Sequence, residues 1–399
     1  MTDRLRVAIV YDCLYPHTIG GAERWYRSLA VLLAQHHEIT YLTRTQWRDD
    51  EKPDVPTGVN LVSLGAYSQL YTRSGRRRIA PPLSFGRDIL LHLLRNRDRY
   101  DVVHTCSFPY FPMLFASALA RVGGPPVVTD WFEVWPRDYW IRYIGGAAGR
   151  IGSLVQSLCI KSTGLAFVFA DSTATDLCRS GYSRKPIVLR GMLDQGSKGK
   201  PTSSTSEYSR VPLAVYVGRH ILEKRVTAIP EAIAIAQRQI PGLRAIIFGD
   251  GPERPRVLME IARLGLTNSI ECPGFVERNL IDDTLARAMC LVLPSEREGY
   301  GLVILEAAEC GVPSIVVQGP NNAAVAFIEN GVNGYVSESA EPAALARAIV
   351  NVHDNAPSLA LRTLAWFENH KSRFLIAASL RPIEEAYRRA IGGLRNERA

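Results

Sequence analysis

Residues 294–313 read PSEREGYGLVILEAAECGVP. The apolar run at 289–293, MCLVL, comes directly before them and predicts a buried strand. A helix is predicted over about 301–310, because Gly311 and Pro313 are typical of the residues that end a helix. The sequence therefore predicts a strand, a short loop and a helix, as in doubly wound α/β domains.

The loop at 296–301, EREGYG, carries features of a ligand site. Its small residues let backbone N–H groups approach a ligand at the positive end of the following helix. Glu298 lies in the loop and Glu306 eight residues later in the helix, so both carboxylates can face one crevice. This pattern suits a ligand with hydroxyls and phosphates. A capped helix with one surface and one structural glutamate is the alternative on this stretch alone.

The composition indicates an ordinary globular protein. The chain has 399 residues, 47% hydrophobic and 22% charged, which is enough for two or three domains. No apolar run is long enough for a membrane span, and the N-terminus shows no signal-peptide pattern. Seven scattered cysteines without CxxC pairs argue against a metal or disulfide framework. A cytoplasmic location is expected.

The basic charge is concentrated in the first half. Residues 1–200 hold 26 Lys and Arg against 17 Asp and Glu, whereas residues 201–399 hold 21 against 22. Residues 73–99 alone carry eight arginines and two aspartates around the apolar run at 89–94. This segment predicts peripheral contact with an anionic membrane or an anionic acceptor, and a solvated helix face is the alternative. No nucleic-acid motif accompanies the charge, so nucleic acid is not an expected partner.

The chain opens with the pattern of a nucleotide-binding half-domain. A strand at 5–11 is followed by a loop with Gly20-Gly21-Ala22-Glu23, a helix at about 22–35 and a strand at 39–43. Gly20 and Gly21 can present N–H groups to a phosphate or an acceptor. A glycine-eased helix start is the alternative.

A strand at 126–129 ends in an aromatic and acidic segment that predicts an acceptor floor. Aromatic faces cover sugar C–H surfaces, and carboxylates accept from hydroxyls. A buried aromatic cluster is the alternative. The candidate residues are Asp130, Trp131, Phe132 and Glu133.

The second half repeats the strand and helix pattern after a Gly-, Ser- and Lys-rich linker. We expect two doubly wound, Rossmann-like α/β domains facing across a cleft. The predicted divisions are an acceptor-binding domain (1–195), a linker (196–210), a nucleotide-sugar-binding domain (211–375) and a C-terminal helix packing back on the first domain (376–399).

Two cations follow the predicted strand at 214–217. Arg219 can bind a diphosphate bidentately, and Lys224 can act as a point charge. Two such residues alone are usually just surface cations. Their position at a strand end near Glu298 and Glu306 favours one convergent site.

These motifs resemble retaining nucleotide-sugar glycosyltransferases of family 4, which have the GT-B fold. The resemblance spans nearly the whole chain and is strongest from about 212 to 340. It implies catalytic roles for Glu298, Arg219 and Lys224, with Glu298 on the donor sugar and the two cations on the diphosphate. The donor-binding residues it implies are Gly218, Gly249, Asp250, Gly251, Phe275, Val276, Gly299, Tyr300, Gly301, Leu302 and Glu306, the last on the ribose. Gly20, Gly21 and Glu23 resemble the family's phosphate and acceptor loop.

The resemblance implies sugar transfer from a nucleoside diphosphate sugar to the hydroxyl of an unidentified acceptor, without cofactor or metal. One departure concerns Phe132, which stands where members often carry a histidine that contacts the donor sugar. The segment at 190–194, RGMLD, also lacks the family's usual asparagine. A sugar phosphorylase using pyridoxal phosphate, a sugar-nucleotide epimerase and a nucleotide-sugar-binding protein without turnover are the alternatives.

Overall fold

The computed structural model describes residues 4–48, 51–70, 78–194 and 212–398. By the density of its contacts the chain forms two compact units. Unit 1 is Met1–Met192 with Leu375–Ala399, and unit 2 is Leu193–Phe374. The predicted linker at 196–210 lies outside the described residues.

The described part of unit 1 contains a seven-stranded parallel sheet in the order β3-β2-β1-β4-β5-β6-β7. Sequence reasoning did not name β3, whose side chains are only partly buried and so give a weak apolar signal. The strands are β1 (Arg6–Val10), β2 (Glu38–Arg44), β3 (Val59–Leu64), β4 (Val102–Cys106), β5 (Val127–Trp131), β6 (Leu165–Val168) and β7 (Ile187–Val188).

In the described residues of unit 1, six α-helices precede its last helix: α1 (Gly21–Leu33), α2 (Ala80–Arg95), α3 (Phe111–Arg121), α4 (Arg137–Ile144), α5 (Gly146–Ser162) and α6 (Asp171–Arg179). Helix α2 packs beside α3, and α3 packs beside α5. Because successive strand side chains point to opposite faces, Val103 joins the core under α2 and α3, while His104 faces the other side.

Unit 2 contains a six-stranded parallel sheet in the order β10-β9-β8-β11-β12-β13 among the described residues. Its strands are β8 (Leu213–Val217), β9 (Arg244–Phe248), β10 (Ile270–Gly274), β11 (Cys290–Leu293), β12 (Ser314–Val317) and β13 (Gly334–Ser337). Its helices are α7 (Ile229–Ala236), α8 (Arg254–Arg263), α9 (Arg278–Arg287), α10 (Leu302–Glu309), α11 (Pro342–Asp354) and α12 (Ala356–Phe374).

The last helix, α13 (Ala377–Arg398), belongs to unit 1 and packs against α1, β4 and β5. Its buried face includes Ile383 and Tyr387. The Tyr387 hydroxyl lies 2.7 Å from His104 Nδ1, and Glu384 lies 3.2 Å from His37 Nε2. Two buried histidines therefore connect this helix to the sheet side of the unit.

The order of strands in unit 2 places a topological switch point between β8 and β11. From β8 the chain moves outward to β9 and β10, then returns to β11 on the other side of β8. All these strands are parallel, so their carboxyl ends share one edge of the sheet. Ligands of open α/β sheets bind outside that edge at such a point.

Within the described parts of the chain, no helix has both the length and the apolar character needed to cross a membrane.

Candidate functional site

Lys224 and Glu298 meet at the switch point of unit 2. Lys224 ends a short 3₁₀ turn (Leu222–Lys224) after β8, and Glu298 lies in the loop after β11. Their Nζ and Oε1 atoms are 2.7 Å apart, with side chains 17% and 14% exposed. Lys224 Nζ also donates to the Arg297 carbonyl at 3.1 Å, and Ser295 Oγ donates to Glu298 Oε1 at 2.8 Å. The structure thus brings together two residues that lie 74 positions apart in sequence.

The backbone of Glu298 is held on both sides. Its N–H donates to the Asn321 carbonyl at 3.1 Å, and its carbonyl accepts from the Ala323 N–H at 3.0 Å. The buried Asn322 side chain donates to the carbonyls of Ser295 and Val317. Sequence reasoning did not single out Asn322, because an asparagine pair in a loop carries no signal of long-range bonding. The Asn322 side chain fixes the loop from which Glu298 projects.

Helix α10 begins directly beside this loop, with Gly301 as its N-cap. Gly301 has φ of +97°, and a Cβ added there would lie 2.9 Å from Ala324 Cβ. No side-chain cap bonds the first N–H groups of this helix among the described residues. Tyr300 is buried against Phe327, with ring centroids 4.9 Å apart. The first N–H groups of α10, starting at Leu302, follow Gly299–Gly301 and supply partial positive charge next to the Lys224–Glu298 pair.

Glu306 is nearly buried and pairs with Arg278, a residue that sequence reasoning missed. Arg278 Nη1 lies 3.1 Å from Glu306 Oε1, and its Nη2 lies 2.7 Å from Asp282 Oδ1. Burial disfavours the charge on Arg278, but the two carboxylates outweigh that effect and raise the pKa of the guanidinium above its usual value. Arg278 is the first residue of α9, so the i, i+4 spacing to Asp282 is visible in the sequence. The pairing with Glu306 is not.

The loops after β8 and β9 interlock, which explains their glycines. Gly249 has φ of +110°, and a Cβ there would lie 1.9 Å from the Gly218 carbonyl oxygen. A Cβ at Gly251 would lie 2.4 Å from the His220 carbonyl oxygen. The His220 N–H donates to the Asp250 carbonyl at 2.8 Å. Any side chain at Gly249 or Gly251 would push the two loops apart.

Arg219 lies within this pair of loops with an exposed side chain, while its carbonyl accepts from the Tyr216 hydroxyl at 2.9 Å. After β10, the Phe275 side chain is exposed and Val276 packs on the core of unit 2. The predicted donor residues of unit 2 therefore follow the carboxyl ends of three neighbouring strands, β8, β9 and β10, together with β11.

In unit 1, Gly20 is the N-cap of α1 and Gly21 its first residue. A Cβ at Gly20 would lie 2.3 Å from Glu23 Oε2, whereas the space around Gly21 is open. Glu23 Oε1 accepts from the Tyr11 hydroxyl at 3.3 Å. The loop after β1 thus ends at the start of α1, with open space beside Gly21.

Asp130 and Trp131 lie in the interior of unit 1, so the prediction that they form an acceptor floor does not fit their placement. Both are fully buried in β5. Asp130 accepts from Trp25 Nε1 at 2.8 Å with one oxygen and lies 2.8 Å from His104 Nε2 with the other. With both oxygens bonded inside the core, this carboxylate holds α1 and β4 to β5.

Phe132 and Glu133 are partly exposed beyond the end of β5. The Phe132 ring stacks on Phe169, with centroids 4.5 Å apart and planes 6° from parallel. Glu133 Oε2 accepts from Trp135 Nε1 at 2.8 Å. Of the predicted floor, these two side chains are the ones that reach the surface.

Within the described residues, no group of three or more His, Cys, Asp and Glu side chains is arranged to hold a metal ion.

Two family models match the chain in succession. The Glycosyl transferase 4-like domain matches residues 20–191, and Glycosyl transferases group 1 matches residues 202–362. Among curated proteins, the glycogen synthase of Mycobacterium tuberculosis is 25% identical over 388 residues, covering 93% of this chain and 91% of that protein. The alpha-D-kanosaminyltransferase of Streptomyces kanamyceticus is 32% identical over 146 residues, covering 36% of this chain and 37% of that protein.

Solved structures of similar shape cover almost the whole chain. Sucrose-phosphate synthase from Thermosynechococcus elongatus superposes with a TM-score of 0.79 at 16% identity, covering 98% of this chain and all of that one. The Anabaena protein HepE, solved in complex with UDP-glucose, superposes with a TM-score of 0.70 at 16% identity, with the same coverage of both chains. At these identities the likeness concerns the fold.

Proposed function

The chain belongs to the nucleotide-sugar glycosyltransferases of the family 4 type, and from that membership we propose that it moves a sugar from a nucleoside diphosphate sugar to an acceptor hydroxyl with retention of configuration. Its fold is the predicted GT-B fold, with one Rossmann-like sheet in each unit. The single observation that carries the proposal is the Lys224–Glu298 pair at the switch point, beside the start of α10.

Lys224 is suited to stabilise the leaving diphosphate. A lysine ammonium has three N–H donors, and Glu298 and the Arg297 carbonyl account for two of them. Phosphate oxygens can accept from the remaining N–H of Lys224, from the exposed guanidinium of Arg219 and from the N–H groups at the start of α10. Stabilisation of charge that develops on the leaving group is the usual way such barriers are lowered.

Glu298 is suited to bind the donor sugar. Its carboxylate contacts Lys224 and Ser295 through the same oxygen, Oε1. Oε2 can therefore accept from a sugar hydroxyl without breaking either contact. We assign Glu306, held by Arg278, to the ribose hydroxyls.

The proposed step needs no protein base. The bond between the anomeric carbon and the diphosphate oxygen breaks, and a bond from that carbon to the acceptor oxygen forms on the same face. The acceptor proton passes to the departing phosphate oxygen. The clamp cations neutralise the diphosphate, so the proposal includes neither a metal nor a cofactor.

Thermal unfolding with nucleoside diphosphates and their sugars, in the presence of EDTA, tests the proposal. At about 100 times its dissociation constant, a ligand stabilises the folded chain by about 2.7 kcal/mol, a shift that is readily measured. UDP is the first nucleotide to test, since HepE binds it. A shift with one nucleotide, followed by transfer of its sugar with a retained anomer, is the expected result. Absence of a shift with every nucleotide would contradict the assigned site.

Phe132 favours one second candidate, a nucleotide-sugar-binding protein with weak or no turnover. Its ring stacks on Phe169 and offers no hydrogen bond to a donor sugar. Donor binding without hydrolysis or transfer across a panel of acceptors would support this candidate. Measurable turnover that rises in Phe132→His would identify an active enzyme limited by the missing contact.

We also propose the peripheral membrane contact that residues 73–99 predict. Residues 73–77 of that segment lie outside the described part of the chain. In α2 the side chains of Leu83, Leu91 and Leu94 are exposed on the same face as Arg87. This exposure supports the contact.

A further inference from the structure

A buried histidine lies between the two cations assigned to the diphosphate. His220 follows Arg219 directly, and Lys224 comes four residues later. We call residues 218–224, all of which the structure describes, the clamp loop. His220 is the one residue of this loop that is fully buried, whereas the Arg219 side chain beside it is exposed. His220 therefore anchors the loop that presents both cations.

The backbone of His220 joins the clamp loop to the loop after β9. Its N–H donates to the Asp250 carbonyl at 2.8 Å, and its carbonyl accepts from the Glu253 N–H at 2.9 Å. Gly251 passes so close that a Cβ there would lie 2.4 Å from the same carbonyl oxygen. The Glu253 carboxylate itself pairs with Arg256 at 3.3 Å. The clamp loop therefore cannot shift while these contacts of His220 persist.

The imidazole of His220 packs beside Tyr216 of β8, with ring centroids 5.8 Å apart. The Tyr216 hydroxyl donates to the Arg219 carbonyl at 2.9 Å. Burial and the nearby charge of Glu298 raise the pKa of this hydroxyl well above its usual value, so it stays protonated and able to donate. A displacement of the imidazole would thus reach the bond that positions Arg219.

The surroundings of the His220 imidazole disfavour a proton. Among the described residues, neither ring nitrogen forms a hydrogen bond. Burial lowers the pKa of His220 below 6.5, the backbone of Phe248 and the charge of Asp250 oppose this effect only in part, and Arg254 adds to it. A proton would place a charge in the interior of unit 2, which is strongly unfavourable. The imidazole is therefore stable in its buried position while it is neutral.

We propose that His220 is a positioning residue of the diphosphate clamp: its neutral imidazole holds the clamp loop against the loop after β9, and protonation releases the loop and weakens donor binding. The proposal rests on the donor roles assigned to Arg219 and Lys224. The assembled loop disfavours the proton and the released loop accepts it, so acid shifts the balance towards the released loop. Donor affinity is then highest at neutral pH and falls in mild acid.

Calorimetric titration of the full chain with UDP-glucose tests the proposal. HepE was solved in complex with this compound, and its two phosphates keep the same charge in mild acid as at neutral pH. Between about pH 7.5 and about pH 5.0, the Kd of wild type should rise at least about fivefold, with a ceiling of about tenfold per pH unit for one proton. His220→Leu fills a similar volume and takes up no proton. It should bind within about threefold of wild type at neutral pH and show no rise in acid.

Two further variants separate the effects of charge and packing. His92→Gln removes a histidine of unit 1 whose pKa is also lowered by burial, and it should keep the wild-type pH dependence of the Kd. His220→Ala removes the packing against Tyr216 and should raise the Kd at both pH values, a loss that His220→Leu should recover. Circular dichroism at both pH values establishes that the variants are folded.

Hydrogen exchange of the free chain gives a second test that needs no donor. The N–H groups of His220 and Glu253 are bonded between the two loops, so their protection, corrected for the intrinsic effect of pH, reports release of the clamp loop. Wild type should lose this protection in mild acid, and His220→Leu should keep it. Failure of UDP-glucose to bind at either pH would count against it as the donor, and hydrogen exchange would still decide the role of His220.

Two results would overturn the proposal. One is a fall of affinity and protection in acid that His220→Leu leaves unchanged, because the responsible proton would then bind at another residue. The other is a wild-type chain with the same Kd and the same protection at both pH values. In that case the charge of the imidazole does not control the clamp loop.

Discussion

Lys224 and its neighbour Arg225 differ in what they contact, although both are cations after β8. Lys224 pairs with Glu298 at the switch point, whereas Arg225 pairs with Glu296 at 2.8 Å on an exposed surface. An exposed pair contributes little to stability or to the site. The two residues therefore form a matched pair for experiment.

We predict that Lys224→Gln lowers kcat/KM by about 30-fold to 1,000-fold, the effect of about 2–4 kcal/mol of lost transition-state stabilisation. Arg225→Gln should stay within about threefold of wild type, because its charge lies outside the site. Steady-state kinetics of sugar transfer measure both. Equal rates for Lys224→Gln and wild type would remove Lys224 from the proposed diphosphate clamp.

Arg278 gives a second prediction at this scale, because it holds a nearly buried carboxylate. In Arg278→Ala, Glu306 loses its ion pair with the guanidinium, and removing one member of a buried ion pair is strongly unfavourable. We expect the affinity for the nucleoside diphosphate to fall at least about tenfold. Arg278→Lys should recover part of that loss, since it retains the charge.

Calorimetric titration with the nucleotide is the measurement, and Asp282→Asn is the control. That variant breaks only the other contact of Arg278 and leaves the Glu306 pair in place. If Arg278→Ala and Asp282→Asn bind nucleotide as wild type does, Arg278 has only a structural role in α9.

At the scale of elements, α13 lies near the C-terminal end of the sequence but packs in unit 1, which is otherwise formed by the first half of the chain. Its buried face reaches β4 through the bond between Tyr387 and His104, and His104 in turn contacts Asp130 of β5. Trp25 of α1 donates to the same carboxylate. One buried polar network therefore connects α1, β4, β5 and α13.

We predict that Tyr387→Phe destabilises the protein by about 1 kcal/mol, which is the usual value for one lost hydrogen bond. The loss is increased because His104 Nδ1 stays buried after the Tyr387 hydroxyl is removed. Arg381→Ala, on the exposed face of the same helix, removes only a surface pair with Glu385 and should leave the stability close to that of wild type. Urea unfolding followed by circular dichroism compares the two. Similar stabilities for both variants would mean that the network contributes nothing.

At the scale of the whole molecule, both units contain histidines that burial makes harder to protonate. Burial lowers the pKa of His37, His92 and His220 below the usual 6.5, and for His37 the nearby Glu384 only partly opposes this effect. A histidine with a lowered pKa in the folded state binds its proton more readily when unfolded. Proton binding therefore favours the unfolded chain between pH 6.5, the ordinary pKa of histidine, and the lower pKa of the folded state.

We predict that the free energy of unfolding falls as the pH is lowered from about 7.5 to about 5.5, by up to about 1.4 kcal/mol per pH unit for each such histidine. His92→Gln should reduce the slope. Denaturant unfolding at several pH values gives the slopes. A stability that is flat or rises towards acid would be inconsistent with neutral buried histidines.

Local sequence patterns predict the fold class and the order of most strands, with β3 as an exception. Apolar runs that end in glycine and proline give the strands and turns, because these signals depend on neighbours within a few residues. The same local signals marked Gly301 as a helix start and placed Arg219, Lys224, Glu298 and Glu306 at strand ends or on the helix that follows.

The side chains that meet, and those that are buried, follow from the packing of distant segments. The pairs Lys224–Glu298 and Arg278–Glu306 join residues from different strand-end segments, and no local pattern encodes such a pairing. Asp130 has the sequence context of a site residue, yet both its oxygens are bonded inside unit 1. Burial depends on every element that packs around a residue, including α13, which arrives from the far end of the chain.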